Sequence, residues 1–138
     1  MSEIAFPEPD APLTHILVVS NIESSMRFYS GVLGAALSRE YGGTSAVYEF
    51  LGSWLLLVTS GGPTPDKPSI SMSPPLDPDE VSAAFMIRVS NCRSVYETLA
   101  GRGAEFLTPP HASADGHEIR CFFRDPDGHL FEISEYNA

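Results

Sequence analysis

Glu132 is the side chain of this 138-residue protein best placed to do chemistry. It stands in the apolar run Leu130-Phe131-Glu132-Ile133, just past the turn sequence Asp125-Pro126-Asp127-Gly128. A carboxylate in a segment suited to burial is costly unless something pairs with it. The histidines are candidates of a second kind. His15 lies in the first apolar run, and His111 and His117 lie on or at the end of the loop Pro109 to Gly116, where ligand contacts concentrate. His129 follows the turn glycine, a position expected to face solvent. Cys92 and Cys121 are too few for a disulfide framework and lack metal-type spacing, so reduced packing residues are expected. No Gly-rich loop precedes a helix in a dinucleotide- or phosphate-binding arrangement, and Gly-x-Ser-x-Gly is absent.

These residues need a scaffold, and the composition bounds it. With 43% hydrophobic residues the chain can bury one real core, most simply as a single domain. Eighteen acids against eight bases leave a net charge of −10, which repels phosphate backbones and anionic membrane surfaces. Nucleic acid and membrane are therefore not expected as partners. No basic leader with an apolar core opens the chain, and no apolar run approaches the roughly 20 residues that span a bilayer. A soluble, cytoplasmic protein is expected.

Residues 1–12 are rich in proline and acid and are expected to form a disordered arm. Leu13 to Val19 then suits a strand, and Ser20-Asn21 suits a helix N-cap. Ile22, Met26, Tyr29, Val32 and Leu33 give the spacing of an amphipathic helix that stops at Gly34. Three strands are expected over Ala36 to Tyr41, Ser45 to Leu51 and Trp54 to Thr59. The segment 61–80 is too rich in proline, glycine and serine for regular structure and reads as a linker, long enough to act as a lid. Beyond it the pattern recurs: Val89-Ser90-Asn91 repeats Val19-Ser20-Asn21, and Gly103-Ala104 repeats Gly34-Ala35. The matching elements are a strand at Ala84 to Val89, a helix at Cys92 to Ala100, and strands near Glu105 to Leu107, Glu118 to Phe123 and His129 to Ser134.

Two βαβββ modules (13–60 and 81–136), Arg27-Phe28-Tyr29 followed by Val32-Leu33-Gly34, and the final Asp125-Pro126-Asp127-Gly128 with Glu132 beyond it resemble the vicinal-oxygen-chelate superfamily. That superfamily includes glyoxalase I, bleomycin- and fosfomycin-resistance proteins and extradiol dioxygenases. The resemblance implies an α+β fold over 13–138, a curved, cup-like mixed sheet with helices outside, completed in a homodimer around a small organic ligand. In metal-dependent members a divalent ion such as Ni, Zn, Mn or Fe is held by the first and last strand of each module. The matching positions here are Thr14, Leu56, Ala84 and Glu132, with His15 one residue out of register, where strand alternation turns it from the cup unless a bulge intervenes.

Two readings stay open. In one, the metal site is mostly vacated and the cup binds a small molecule. In the other, Glu132 and a shifted His15 hold a metal for lyase or isomerase chemistry of the glyoxalase I type; dioxygenase chemistry, which needs two histidines, is disfavoured. Arg88 shares strand parity with Ala84 and is expected in the cup, paired with Glu132 or with a surface carboxylate. A basic patch around it would suit one small carboxylate or phosphate. Tyr48, Met86 and His117 are the remaining ligand-wall candidates, whereas Trp54, Phe122, Phe123 and Phe131 are expected in the core.

Overall fold

The computed structural model describes residues 4–137. Strand β1 (Thr14–Val19) runs into helix α1 (Ile22–Arg27), whose N-cap Asn21 accepts a hydrogen bond from the Ser24 N–H at 2.9 Å. The helix does not continue as α to Leu33: residues Phe28–Val32 form a π-helical turn, with the Leu33 N–H donating to the Phe28 carbonyl. That wider turn places Phe28, Tyr29 and Val32 together in the core. Gly34, at φ 71°, then lets the chain leave the helix, and the Ala35 N–H returns to the Tyr29 carbonyl. Strands β2 (Ala36–Tyr41), β3 (Ser45–Phe50) and β4 (Ser53–Thr59) complete a sheet ordered β1-β4-β3-β2, with β1 parallel to β4.

The second module repeats this path with β5 (Phe85–Arg88), α2 (Cys92–Gly101), β6 (His111–Ala112), β7 (Glu118–Arg124) and β8 (Leu130–Tyr136), ordered β5-β8-β7-β6. Asn91 caps α2 as Asn21 caps α1, accepting from the Ser94 N–H at 3.0 Å. The edge strand departs from expectation. Phe106 makes only an isolated bridge to Phe123, and ladder pairing resumes at His111–Ala112. Pro109 and Pro110, which have no N–H to give a ladder, separate the two.

Between Thr59 and Phe85 there is no helix or strand, only the isolated bridges Gly61–Met72 and Thr64–Lys67. This segment folds onto the last hairpin. Asp79 accepts from Arg124 Nη2 at 2.5 Å, and Pro78 lies so close to Gly128 (φ 97°) that a Cβ there would come within 2.8 Å of the proline Cβ. Residues 4–13 are exposed and contain no helix or strand; the rest of the expected arm, residues 1–3, lies outside the described residues. No helix among the described residues is long and apolar enough to cross a membrane.

Strand alternation puts one face of each sheet against the helices. Leu17, Val19, Ala46, Tyr48, Leu55 and Leu57 do so in the first sheet, and Cys121, Phe123, Phe131 and Ile133 in the second. Burying each large apolar side chain contributes roughly 1.5–3 kcal/mol. The modules share this core and are also tied by polar contacts. The Tyr29 hydroxyl donates to Asp125 Oδ2 at 2.7 Å, the Ser20 N–H to Asp127 Oδ1 at 3.0 Å, and Arg102 Nη1 to the Val32 carbonyl at 3.1 Å. His129, expected to face solvent, instead donates from Nε2 to the Val18 carbonyl at 2.9 Å, because the hairpin tip packs against β1.

Burial pushes the Asp125 carboxyl above its ordinary value, and the hydrogen bond from Tyr29 holds it back. Burial, with Asp125 alongside, raises the Tyr29 hydroxyl well above its own. A raised carboxyl means that the native protein binds more protons than the unfolded chain, so this group's contribution falls as pH rises from about 3.8 through the native value. Tyr29→Phe should destabilise the protein by about 1–3 kcal/mol in urea titrations near pH 7. The loss should shrink in acid, where Asp125 is protonated; an equal loss at all pH values would show that the bond does not act on the charged carboxylate.

Candidate functional site

The other face of each sheet carries no helix. In the second module it is organised in rows across the strands. Glu132 on β8 stands between Met86 on β5 and Phe122 on β7. The next row places Ser134 between Arg88 and Arg120, with His111 beyond Arg120. Tyr136 and Glu118 form the row after that. Glu132 is half-buried and Met86, Arg88, Arg120 and Tyr136 are exposed, whereas Ser134 is fully buried and donates from Oγ to Glu118 Oε2 at 2.8 Å. In the first module the corresponding face carries Thr14, Ile16, Trp54 and Leu56.

Arg88 shares this face with Glu132 but does not pair with it. Its guanidinium lies 5.3 Å from the centre of the Tyr136 ring, with Nη2 3.8 Å from Met86 Sδ. The reason is the register: Arg88 stands opposite Ser134, one row past Glu132, and its side chain runs on toward Tyr136. Among the described residues the one salt bridge is Arg124–Asp79. Arg120 likewise rests on an aromatic ring, with Cζ 5.9 Å from the centre of Phe122. Guanidinium–ring contacts of this kind are worth about 0.5–1 kcal/mol at exposed sites.

Other expected site residues are dispersed. His15 belongs to the helix-side face with Leu17 and Leu55, and its exposed ring meets Phe85 edge-on at 5.4 Å. It is neither buried nor on the face of Glu132, so within one chain the two do not converge on an ion. Tyr48 is not a cavity wall. It is fully buried toward the helices, sharing a 2.8 Å hydrogen bond with Ser30 Oγ and donating to the Met26 carbonyl at 3.3 Å, because its parity is that of Ala46. Burial also raises its hydroxyl above the ordinary value. His117 is exposed with its ring 6.3 Å from that of Tyr136, at the open end of the Glu132 face. Phe123 and Phe131 are in the core, but Trp54 and Phe122 are half-buried on the open faces, since each has the opposite parity from its buried neighbour.

Sequence reasoning did not single out Ser134 or Tyr136, and it left open which face Arg120 and Arg124, which share one strand parity, would take. Counting by twos from Glu132 along β8 finds Ser134 and Tyr136, but Arg120 needed the β7 register.

The donor set does not fit a divalent ion within one chain. Of the positions that the resemblance implies, Thr14, Leu56 and Ala84 offer no strong ligand, and among the described residues no group of three or more His, Cys, Asp or Glu side chains is gathered tightly enough to hold one. The cysteines are no substitute as a reactive centre. Cys92 and Cys121 are buried with Sγ atoms 3.7 Å apart, and burial pushes Cys121 up to about 12 and raises Cys92 as well. Thiolates are the reactive form, so both should resist a thiol reagent such as Ellman's at neutral pH and react at once in denaturant. Rapid reaction of either in the native protein would contradict this placement.

Residues 12–133 match the sequence model of the Glyoxalase/Bleomycin resistance protein/Dioxygenase superfamily. The chain is 28% identical over 120 residues to the metallothiol transferase FosB of Shouchella clausii, spanning 83% of this chain and 73% of that protein. Among solved structures it is similar to a fosfomycin resistance protein, FosX, from Listeria monocytogenes, at a TM-score of 0.66 and 14% identity over 93% of this chain and 94% of that one. It is also similar to a lactoylglutathione lyase from Agrobacterium tumefaciens, at 0.65 and 15% over 93% and 95%. At such identities these two likenesses speak for the fold alone.

Proposed function

Because the chain belongs to the glyoxalase/bleomycin resistance protein/dioxygenase superfamily, we propose that it is a homodimer whose open sheet faces form a cavity for a small organic ligand, with the family's metal site mostly vacated. The observation that carries this reading is the open face itself. The two open faces carry exposed apolar and aromatic groups, Ile16 at 53% on the first sheet and Met86 at 55% and Tyr136 at 53% on the second, where the half-buried carboxylates are Glu132 and Glu118. Exposed apolar surface of this kind favours a covering partner, and a second copy of the same face supplies one.

A second reading, a metal-dependent lyase or isomerase using Glu132, is favoured by one feature. That carboxylate occupies the family's last-strand position, half-buried and without an ion-pair partner among the described residues. His15 does not assist it within the chain, for the reason of face given above.

Protein purified without chelator should sediment as a dimer and contain well under one Ni, Zn, Mn or Fe per chain by elemental analysis. Trp54, the one tryptophan, lies on the open face of the first sheet and should report ligands through its emission. Stoichiometric metal that disappears in Glu132→Ala would overturn the binding reading in favour of the enzyme.

A further inference from the structure

We propose that the row Arg88–Ser134–Arg120 is a seat for an oxyanion, so that the ligand is a small organic acid whose carboxylate or phosphoryl group lies over Ser134 between the two guanidinium groups. The assignment rests on the open face being a ligand cavity and names the chemistry it selects.

The first support is charge placement. A chain with net charge −10 puts three of its eight basic residues, Arg88, Arg120 and Arg124, on one face of one sheet. Arg124 is engaged by Asp79, whereas Arg88 and Arg120 form no salt bridge among the described residues, although Glu118 and Glu132 share their face. The second support is how the two are held. Each guanidinium rests on an aromatic ring, Arg88 on Tyr136 and Arg120 on Phe122. Such contacts use the cation without requiring an anion, and they leave N–H donors available to a planar carboxylate or a phosphoryl group.

Register supplies the third support. Arg88 and Arg120 are each the direct cross-strand neighbour of Ser134, so the pair brackets that residue at about 4.8 Å spacing on either side. Ser134 is small and fully buried with its hydroxyl bonded to Glu118 Oε2 at 2.8 Å, so the anion lies above it on the exposed guanidinium groups, beside the Glu118 carboxylate. Along β8, Glu132 lies two residues back, roughly 7 Å away, with Met86 and Phe122 beside it. A ligand of this seat therefore carries its acid group at one end and, about that far away, a hydroxyl or ammonium that donates to Glu132, with an apolar stretch between.

The test is an NMR titration of the arginine Nε–Hε signals of the intact protein with inorganic phosphate, benzoate, phenylphosphonate and the neutral benzamide, followed in parallel by Trp54 emission. The Arg88 and Arg120 signals should move together and saturate with a shared Kd for the anions, while those of Arg27, Arg39 and Arg93 stay still and benzamide moves neither. Arg88→Gln or Arg120→Gln should each weaken anion binding by about tenfold or more and abolish the response of the remaining arginine, with the thermal midpoint lowered by no more than a few degrees as the ring contact is lost. Phosphate and phenylphosphonate without benzoate would identify a phosphoryl seat, and benzoate alone a carboxylate seat. Equal movement of all arginines, or none, overturns the proposal. Silent arginines with a Trp54 response to benzamide overturn the oxyanion seat but leave the cavity standing. Responding arginines with a silent Trp54 keep the seat and remove the cavity that joins the two sheets.

Discussion

The buried carboxylate of Asp125 holds the rest in place. One of its oxygens accepts the N–H groups of Asp127 and His129 and so shapes the hairpin tip, while the other accepts the Tyr29 hydroxyl from the first module. A single side chain thus fixes the turn that launches β8 and fastens that turn to the helical segment of the other half. Since β8 carries Glu132, Ser134 and Tyr136, the placement of these central groups of the open face traces back to this junction. The π-helical turn matters for the same reason, because it is the segment that delivers Tyr29 to Asp125.

With the junction set, the period of two along each strand divides the labour. One set of residues is consumed by the shared core, where Tyr48, Phe123, Phe131 and Leu57 leave no room for function. The other set is released from packing against helices. Charged residues on that face need partners from their own rows or from a ligand, and the register determines which. Arg124 finds Asp79 in the connecting segment, while Arg88 and Arg120 find aromatic rings.

The same division explains how a chain of this superfamily can build the modules whatever side chains its open faces carry. Only the helix-side residues, the caps at Asn21 and Asn91 and the turn at Asp125 to Gly128 are needed to build the modules. Thr14, Leu56 and Ala84 satisfy β1, β4 and the approach to β5 as well as metal ligands would, because the open face makes no demand beyond extended backbone. Architecture and chemistry are written in alternate residues.

Much of this was legible in the chain itself. Local chemistry determined the two βαβββ modules, since the caps, the turn glycines and the apolar spacing are read over a few residues. It also singled out Glu132, because a carboxylate in an apolar run is conspicuous without any coordinates. Strand parity further determined which residues share a face, separating His15 from Thr14 and placing Arg88 with Ala84. What parity does not say is which face the helices cover, and so Tyr48 and Trp54 were each placed on the wrong side until packing was known. Nor does it say which neighbour a long side chain reaches. Arg88 passes over Tyr136 rather than turning back to Glu132, and His129 reaches across to Val18, because those choices depend on through-space offsets between strands distant in sequence. Pairing within an element is a local property; pairing between elements is settled only when the modules pack.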